Sequence, residues 1–270
     1  MITVLGANGF IGTHLTHYLK THNIAYHAPK KEDKTIFEKN LGNVIYAIGL
    51  TADFRTRPLE TVEAHVCLLN RLLKQKNFES LTYISSTRVY AGSESTDENA
   101  ILKVNPIHYG DLYNLSKLMG ESLCLHNGRL NTKVIRLSNI IGVRTDNDFF
   151  LDQLITEGQL HGSIEFQTSL DSQKDYLYID DAVSSIVAIT RSSENGIFNV
   201  ASGESISNGQ IADFIHNRFG FDIHVRSDAP RLNFIPIETT KTSRLFAFNP
   251  RKFIDYFPDY LSKIQQSKEL

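Results

Sequence analysis

The sequence predicts an α/β fold in which parallel strands form a doubly wound sheet between two layers of helices. The first observation is a short apolar run, Ile2–Leu5, that stops at a glycine turn and is followed by apolar residues at helical spacing from Phe10 onward. The second is that further apolar runs, at 43–50 and 81–90, are again followed by helical patterns. Such alternation is typical of a parallel sheet, and 270 residues suffice for one α/β domain with a small additional lobe.

The glycine turn predicts what this N-terminal unit binds. Gly6, Gly9 and Gly12 follow a Gly-x-x-Gly-x-x-Gly spacing between the predicted strand and helix. The first turn of a helix offers unpaired N–H groups and a partial positive charge, and glycines let a pyrophosphate approach the backbone closely. Glycines also occur in other turns, so the prediction of a dinucleotide site depends on the strand before them and the helix after them. The sequence predicts a Rossmann-type dinucleotide site formed by Gly6, Asn8, Gly9, Phe10, Ile11 and Gly12.

The residues after the second predicted strand, 24–28, indicate which dinucleotide binds. In a fold that prefers NAD, a carboxylate about 20 residues after the glycine turn bonds the adenosine ribose. Here Lys30 and Lys31 occupy that region, and two ammonium groups attract the 2′-phosphate of NADP. NADP is therefore favoured, whereas Glu32 or Asp33 reaching back to the ribose would suit NAD.

The middle of the chain adds a strand and a helix. The strand at 43–50 contains Ala47 and leaves through Gly49, where the backbone must pass close to the cofactor in such a fold. We interpret His65, on the helix that follows, as a surface or packing residue, because no partner stands at a metal-ligand spacing, and we predict no metal site. The helix is predicted over 58–75, and its predicted inward face comprises Val62, Val66, Leu69 and Leu73.

Hydroxyl side chains end the strand predicted at 81–90. Ligands bind at the carboxyl ends of parallel strands, so we expect Ser85, Ser86 and Thr87 to face the same crevice as the glycine turn.

Tyr113 and Lys117 are four residues apart on a predicted helix and therefore project from one face. A cationic ammonium near a phenol favours phenolate and lowers the phenol pKa from about 10, so such a tyrosine can pass a proton. With a serine hydroxyl on the substrate oxygen and a nicotinamide beside it, this pair suits hydride transfer to or from a carbinol carbon.

These motifs resemble those of the extended short-chain dehydrogenases/reductases of the NAD-dependent epimerase/dehydratase family, which act mainly on nucleotide sugars. The similarity runs in family order over nearly the whole chain. The matching segments are Gly6-x-x-Gly9-x-x-Gly12, Ala47–Ala52, Ile84–Tyr90, Tyr113-x-x-x-Lys117, Arg136–Gly142, Lys174–Asp181 and Phe198–Gly203.

The resemblance implies roles for single residues. Tyr113 is implied to be the acid/base, Lys117 to orient the nicotinamide ribose and tune Tyr113, and Ser86 to hold the reacting oxygen. Asn139 resembles the family residue near the sugar diphosphate, and Lys174 stands where many relatives have an arginine gripping that diphosphate.

The resemblance also implies a division of the chain. Residues 1–142 would form the cofactor domain, with returning elements around 175–202, and residues 143–270 would form mainly a smaller C-terminal substrate-binding lobe.

Two departures from the family pattern narrow the chemistry. Thr87 and Arg88 stand where sugar dehydratases carry an Asp-Glu pair for water elimination, so dehydration is not expected. Lys174 lacks the bidentate fork of arginine. Arg226 or Arg231 could complete the diphosphate site, or both are ordinary surface arginines. The predicted substrate contacts are Ser86, Thr87, Asn139, Lys174, Arg226 and Arg231.

Several functions share these residues. The leading hypothesis is an NADPH-dependent reductase of a keto group on a nucleotide-linked sugar, because lysines at the ribose position fit a cofactor used as a consumable reductant. The alternative is a nucleotide-sugar epimerase with tightly bound NAD. A non-catalytic ligand-sensing or RNA-binding relative is least favoured, since Ser86, Tyr113 and Lys117 are all retained.

Composition limits partners and compartment. A net charge of −2 and a pI near 6.6 give no bulk attraction to nucleic acid or anionic membranes. The two cysteines, Cys67 and Cys124, cannot form a disulfide framework, and no apolar run suits a membrane span, so we expect a cytoplasmic protein. The resemblance implies a homodimer formed through the helices that contain Leu69 and Met119.

Overall fold

The computed structural model describes residues 1–51, 53–75, 77–128, 131–143 and 150–268, with side chains as far as residue 265. The strands are β1 (Ile2–Leu5), β2 (Tyr26–His27), β3 (Asn43–Tyr46), β4 (Ser80–Ser86), β5 (Thr132–Leu137), β6 (Asn139–Ile141), β7 (Ser163–Phe166), β8 (Gln173–Tyr178), β9 (Gly196–Val200), β10 (Ser205–Ser207) and β11 (Asp222–Val225). The helices are α1 (Phe10–Thr21), α2 (Pro58–Val62), α3 (Leu68–Gln75), α4 (Asp111–His126), α5 (Phe150–His161), α6 (Ile179–Arg191), α7 (Asn208–Phe219), α8 (Thr240–Phe246) and α9 (Phe253–Lys268).

The central sheet has six parallel strands in the order β2-β1-β3-β4-β5-β9. Successive side chains of β5 point to opposite faces of the sheet. Ile135 belongs to the core cluster that contains α1 and α6, whereas Val134 packs in the cluster that contains α3 and Cys124 of α4. Helices therefore cover both faces, which confirms the predicted doubly wound α/β fold.

The order of the strands places a crevice beside β1. The chain moves from β1 to its edge neighbour β2 and then crosses back to β3 on the other side of β1. The connections that leave β1 and β3 therefore pass to opposite faces of the sheet. A crevice opens outside the carboxyl ends at such a switch point.

Two smaller sheets lie outside the central sheet, and their strands come from both before and after α6 in the chain. β8 pairs with β10 antiparallel and with β6 parallel, and β7 pairs with β11 in a separate two-stranded parallel sheet. The aromatic face of α9, with Tyr256, Phe257 and Tyr260 buried, joins this region to the main core. The division of the chain at residue 142 stays a prediction.

Three predicted strands are shorter in the structure, and the one predicted at 43–50 ends at Tyr46. The segment expected at 24–28 pairs only over β2, at the sheet edge before Pro29, which has no N–H for a ladder. β4 ends at Ser86 instead of continuing to residue 90, because the Ser86 hydroxyl accepts a hydrogen bond from the N–H of Arg88 and caps a 3₁₀ turn over Thr87–Tyr90.

The helix predicted over 58–75 is interrupted by a π-helical turn at Glu63–Cys67, which separates α2 from α3. Leu69 and Leu73 are buried as predicted, but Val62 and Val66 are only partly buried. The wider turn changes the helical phase, so the predicted inward face was wrong in its first half. The buried residues there are Thr61, Ala64 and His65.

None of the helices in the described residues combines the length and the apolar character needed to cross a bilayer. On α4, Met119 is about half exposed, whereas Leu69 lies in the core. The homodimer through these helices stays a prediction.

Candidate functional site

A cavity of about 490 Å³ lies at the carboxyl ends of β1, β3, β4 and β5. It brings together most of the residues that the sequence predicts for the site, although they are far apart in the chain. The predicted residues that line it are Gly9, Phe10, Ile11, Ala47, Gly49, Ser85, Ser86, Tyr113, Lys117, Asn139 and Lys174.

The glycine turn has the close backbone contacts that its spacing predicts. Gly6 has a φ of +87°, and a Cβ there would lie 2.8 Å from the carbonyl oxygen of Ala47. A Cβ on Gly12 would lie 2.1 Å from the carbonyl oxygen of Gly6. Only glycine therefore fits at either position, and Asn8 is exposed on the turn between them.

The turn also leaves donors for an anion. Gly9 is the N-cap of α1 and has no side chain, and the first turn of α1 contains no acidic residue. The N–H groups of that turn therefore point outward beside Phe10 and Ile11, which line the cavity. This arrangement suits an anionic group, and its use for the pyrophosphate of a dinucleotide stays a prediction.

Lys30 and Lys31 are exposed on the loop after β2. β2 runs parallel to β1, so this loop leaves the sheet at the same edge as the glycine turn, although neither lysine lines the cavity. Asp33 is already engaged, because its carboxylate accepts the N–H of Thr35 at 2.9 Å. That bond weakens the alternative in which Asp33 binds the ribose.

Ser86, Tyr113 and Lys117 meet where β4 ends and α4 begins. Tyr113 and Lys117 are each only 5% exposed, and the Lys117 Nζ lies 5.8 Å from the centre of the Tyr113 ring. Lys117 donates to the carbonyl of Ile84 at 2.9 Å, which anchors its ammonium beneath the cavity. The hydroxyl, the phenol and the ammonium are therefore held on rigid elements around one space.

The pKa of Tyr113 is shifted upward, whereas the sequence analysis predicted a downward shift. Burial raises the pKa of Tyr113 above 10.0, and hydrogen bonding by Ser86, the charge of Arg88 and hydrogen bonding by Thr51 offset only part of that effect. Burial also lowers the pKa of Lys117 to about 7, which weakens its charge near neutral pH. Burial therefore favours the protonated phenol of Tyr113, because its desolvation outweighs the hydrogen bonds and the charge of Arg88.

Of the two interpretations of His65, a surface residue or a packing residue, the structure supports the second. Its ring contacts elements that form the site. It is fully buried, its Nδ1 lies 2.8 Å from the Ser116 hydroxyl, and its Nε2 accepts the N–H of Leu50 at 3.3 Å. Since the Ser116 hydroxyl donates to the carbonyl of Tyr113, the Nδ1 of His65 is the donor. The ring thus joins the loop after β3 to α4.

Gly49 completes this support. A Cβ there would lie 3.0 Å from His65 Nε2 and 3.4 Å from Lys117 Nζ. The sequence predicted a close approach to the cofactor at this glycine; the structure adds a close approach to two side chains. Within the described part of the chain, no group of histidine, cysteine or acidic residues could hold a metal ion.

Replacing His65 with phenylalanine is expected to reduce the free energy of unfolding by about 1–3 kcal/mol, because the ring volume stays while the partly buried N–H of Leu50 loses its acceptor. Urea denaturation would measure this, with His17→Phe on the exposed side of α1 as the control.

The His65→Phe substitution should also change how the free energy of unfolding depends on pH. Burial and the charge of Lys117 lower the pKa of His65 from 6.5 to about 2, so below pH 6.5 the unfolded chain takes up a proton that the folded chain does not. Wild-type stability from this group is complete above pH 6.5 and is lost as the pH falls. His65→Phe should lose less stability between pH 6.5 and about pH 5; equal losses would contradict the neutral, buried histidine.

The opposite side of the cavity is lined by residues that sequence reasoning partly missed. Asn139 donates to the carbonyl of Asp175 at 2.8 Å, and the Lys174 Nζ lies 5.3 Å from the centre of the Phe150 ring. Asp152, Tyr176 and Tyr260 also line the cavity, and the Tyr260 hydroxyl donates to Asp152 at 2.9 Å. Tyr176 lies on β8 within the matching segment Lys174–Asp181, although no role was predicted for it. No motif marks Asp152 or Tyr260, because their meeting depends on how α9 packs against α5.

Three predicted substrate contacts lie outside the cavity. Thr87 is buried in the 3₁₀ turn after β4 and does not line it. Arg226 is exposed and pairs with Asp228 at 2.5 Å, and Arg231 is exposed with its Nε bonded to Asn233 at 3.1 Å. The structure therefore supports the reading of both arginines as surface residues.

Comparisons with known proteins agree with this geometry. The sequence model of the NAD dependent epimerase/dehydratase family matches residues 2–201. A putative UDP-glucose 4-epimerase of Methanocaldococcus jannaschii is 26% identical over 86% of both chains. A dTDP-4-dehydro-6-deoxyglucose reductase of Escherichia coli is 31% identical over 55% of this chain and 48% of its own. The solved structure of MoeE5 with UDP-glucose and NAD has a TM-score of 0.84 at 18% identity, over 100% of this chain and 99% of that one.

Proposed function

Because the chain belongs to the NAD-dependent epimerase/dehydratase family, we propose that it is an NADPH-dependent reductase of a keto group on a nucleotide-linked sugar. The observation that carries the choice of cofactor is the pair Lys30 and Lys31 on the loop after β2. Of the two competing carboxylates, Asp33 is bonded to Thr35, whereas Glu32 is exposed on the same loop and is the one that NAD binding would use. Two free ammonium groups at the sheet edge used by the glycine turn favour a ribose that carries a phosphate.

The residues of the site fit such a dinucleotide. The glycine turn packs so tightly against backbone atoms that only glycine fits at Gly6 and Gly12, and the first turn of α1 would supply N–H donors for the pyrophosphate. Lys117 would hold the nicotinamide ribose, and Gly49 would form the wall beside it. When bound, NADPH supplies the hydride.

Ser86 and Tyr113 then orient the keto oxygen and supply the proton. Ser86 donates a hydrogen bond to the keto oxygen and orients it toward Tyr113. Tyr113, whose raised pKa keeps it protonated at neutral pH, donates the phenolic proton to the alkoxide oxygen that forms. A phenol that is protonated before the hydride is transferred suits this direction of reaction, because the alkoxide that forms is the stronger base and takes the phenolic proton. Asn139 and Lys174 would hold the diphosphate on the far side of the cavity.

The double variant Lys30→Ala with Lys31→Ala tests the cofactor choice. We expect NADPH affinity to fall on the order of tenfold or more, because charge-assisted contacts to the 2′-phosphate are lost, with little change for NADH. Calorimetric titration of cofactor-stripped protein would measure both. The matched control is Lys20→Ala with Lys74→Ala, exposed lysines near the ends of α1 and α3. An equal response of NADPH and NADH would contradict the phosphate contact.

A second candidate is a nucleotide-sugar epimerase with retained NAD, favoured by the relative from Methanocaldococcus jannaschii, which aligns over 86% of both chains. The same three residues would serve it, with Tyr113 removing a proton from a hydroxyl and returning it. The two candidates differ in the purified protein: the epimerase would retain NAD and interconvert UDP-glucose and UDP-galactose without added cofactor, whereas the reductase would consume NADPH stoichiometrically.

A further inference from the structure

Arg88 is a half-buried cation that does not itself line the cavity but contacts two residues that do, Ser86 and Tyr113, and the proposed mechanism does not use it. Its main-chain N–H donates to the Ser86 hydroxyl at 3.2 Å, which fixes it relative to the end of β4. Its guanidinium carbon lies 5.5 Å from the centre of the Tyr113 ring and 5.0 Å from that of Phe54. The half-buried guanidinium is therefore held beside the residues that would handle the reacting oxygen.

Most donors of this guanidinium are left for a ligand. Its side chain makes one long hydrogen bond, from Nη2 to the carbonyl of Gly110 at 3.4 Å. Among the described residues, no carboxylate lies within 4 Å of it to form an ion pair. Asp111, whose charge reaches Arg88, is committed elsewhere: it accepts the N–H of Asn105 at 2.8 Å and lies 3.5 Å from His108. A guanidinium has five N–H donors, so several remain.

Like charges surround Arg88. Burial and then the charge of Arg55 lower the pKa of Arg88, and burial and then the charge of Arg88 lower the pKa of the cavity residue Lys174. Asp53 also lines the cavity, but it is exposed and lies 3.9 Å from Arg57. Half-buried cations that repel one another are costly unless anions offset them. Two cations on different sides of the cavity, Arg88 and Lys174, fit a ligand with two separate anionic groups.

We propose that Arg88 binds a carboxylate on the sugar ring, next to the reacting carbon, so that the substrate is a nucleotide-linked sugar acid. This rests on the proposed function, because it takes Tyr113 as the proton donor at the reacting carbon. The carboxylate suits Arg88 better than the diphosphate does, because Arg88 lies against the Tyr113 ring, whereas Lys174 lies across the cavity over Phe150. The planar guanidinium also forms two parallel hydrogen bonds with a carboxylate.

The test compares sugar ligands that differ only in the carboxylate. Dissociation constants of UDP-glucose and UDP-glucuronate, and of GDP-mannose and GDP-mannuronate, would be measured on the NADPH-bound protein. In at least one pair the wild type should bind the acid more tightly by a factor on the order of ten or more. Arg88→Met should bring that ratio close to one, and Arg88→Lys should give an intermediate ratio. Arg191→Met, at an exposed position at the end of α6, is the matched control and should keep the wild-type ratio.

Two results would overturn the assignment. One is a wild-type protein that binds both members of every pair equally. The other is an Arg88→Met variant, folded by circular dichroism, that weakens both members by the same factor, since Arg88 would then hold the diphosphate or the site itself. Failure of the proposed function has a different signature, because no nucleotide sugar would bind the NADPH complex and none would be reduced.

Discussion

Tyr113→Phe is expected to lower kcat by about 10³-fold, because the variant keeps the ring but loses the proton donor. The ring packs against Phe54, with ring centres 5.3 Å apart, and against His65 at 5.4 Å, so phenylalanine should occupy the same space. The dissociation constant of NADPH should therefore change little. Steady-state rates with a keto-sugar acceptor and calorimetric titration of NADPH would separate the two effects.

The control for this experiment is Tyr18→Phe, on α1 and outside the cavity residues, which should leave kcat unchanged. Activity of Tyr113→Phe within a few fold of the wild type would remove Tyr113 from the proton-transfer step. A large loss of NADPH affinity would show instead that the hydroxyl organises the cofactor site.

Gly12→Ala is expected to weaken NADPH binding by about 10²-fold, through loss of charge-assisted hydrogen bonds from the glycine turn. The added Cβ would lie 2.1 Å from the carbonyl oxygen of Gly6 and 2.6 Å from the Cα of Ala7. Both neighbours are backbone atoms, so the turn must move away from α1. The N–H groups of the first turn would then no longer converge on the pyrophosphate.

Gly209→Ala is the matched control, because Gly209 also stands at the start of a helix, α7, and a Cβ there meets nothing closer than 3.6 Å. Calorimetric titration would measure NADPH binding, and thermal unfolding would show whether the variant remains folded. If Gly12→Ala binds NADPH within threefold of the wild type, the turn is not the pyrophosphate site.

Local patterns were sufficient for the main features of the fold. The β-branched run at Ile2–Leu5, the glycine spacing and the helical repeat after Phe10 each depend on neighbours in sequence, so they predicted β1, the turn and α1. The placement of Tyr113 and Lys117 on one helix face was equally predictable from the sequence, since residues four apart share a face. The family resemblance supplied the order of the remaining parts.

Long-range packing decided what the sequence could not. The inward face of the helix after residue 58 was mispredicted because the π-helical turn at Glu63–Cys67, which buries His65 between Leu50 and Ser116, leaves no periodic signal. The pKa of Tyr113 was mispredicted because a desolvation penalty depends on every element that covers the ring.

The sequence by itself determined the α/β fold and the strand, glycine turn and helix at its start, and it singled out Ser86, Tyr113 and Lys117 as candidate site residues, because each rests on short-range spacing or on ordered motifs. Only the tertiary structure decided that Arg226 and Arg231 lie outside the cavity and that Arg88 lies beside Tyr113. It also decided that Asp152 and Tyr260 line the far wall. The physical reason is that charge and burial act through space, and neighbours in space are set by the packing of segments distant in the chain.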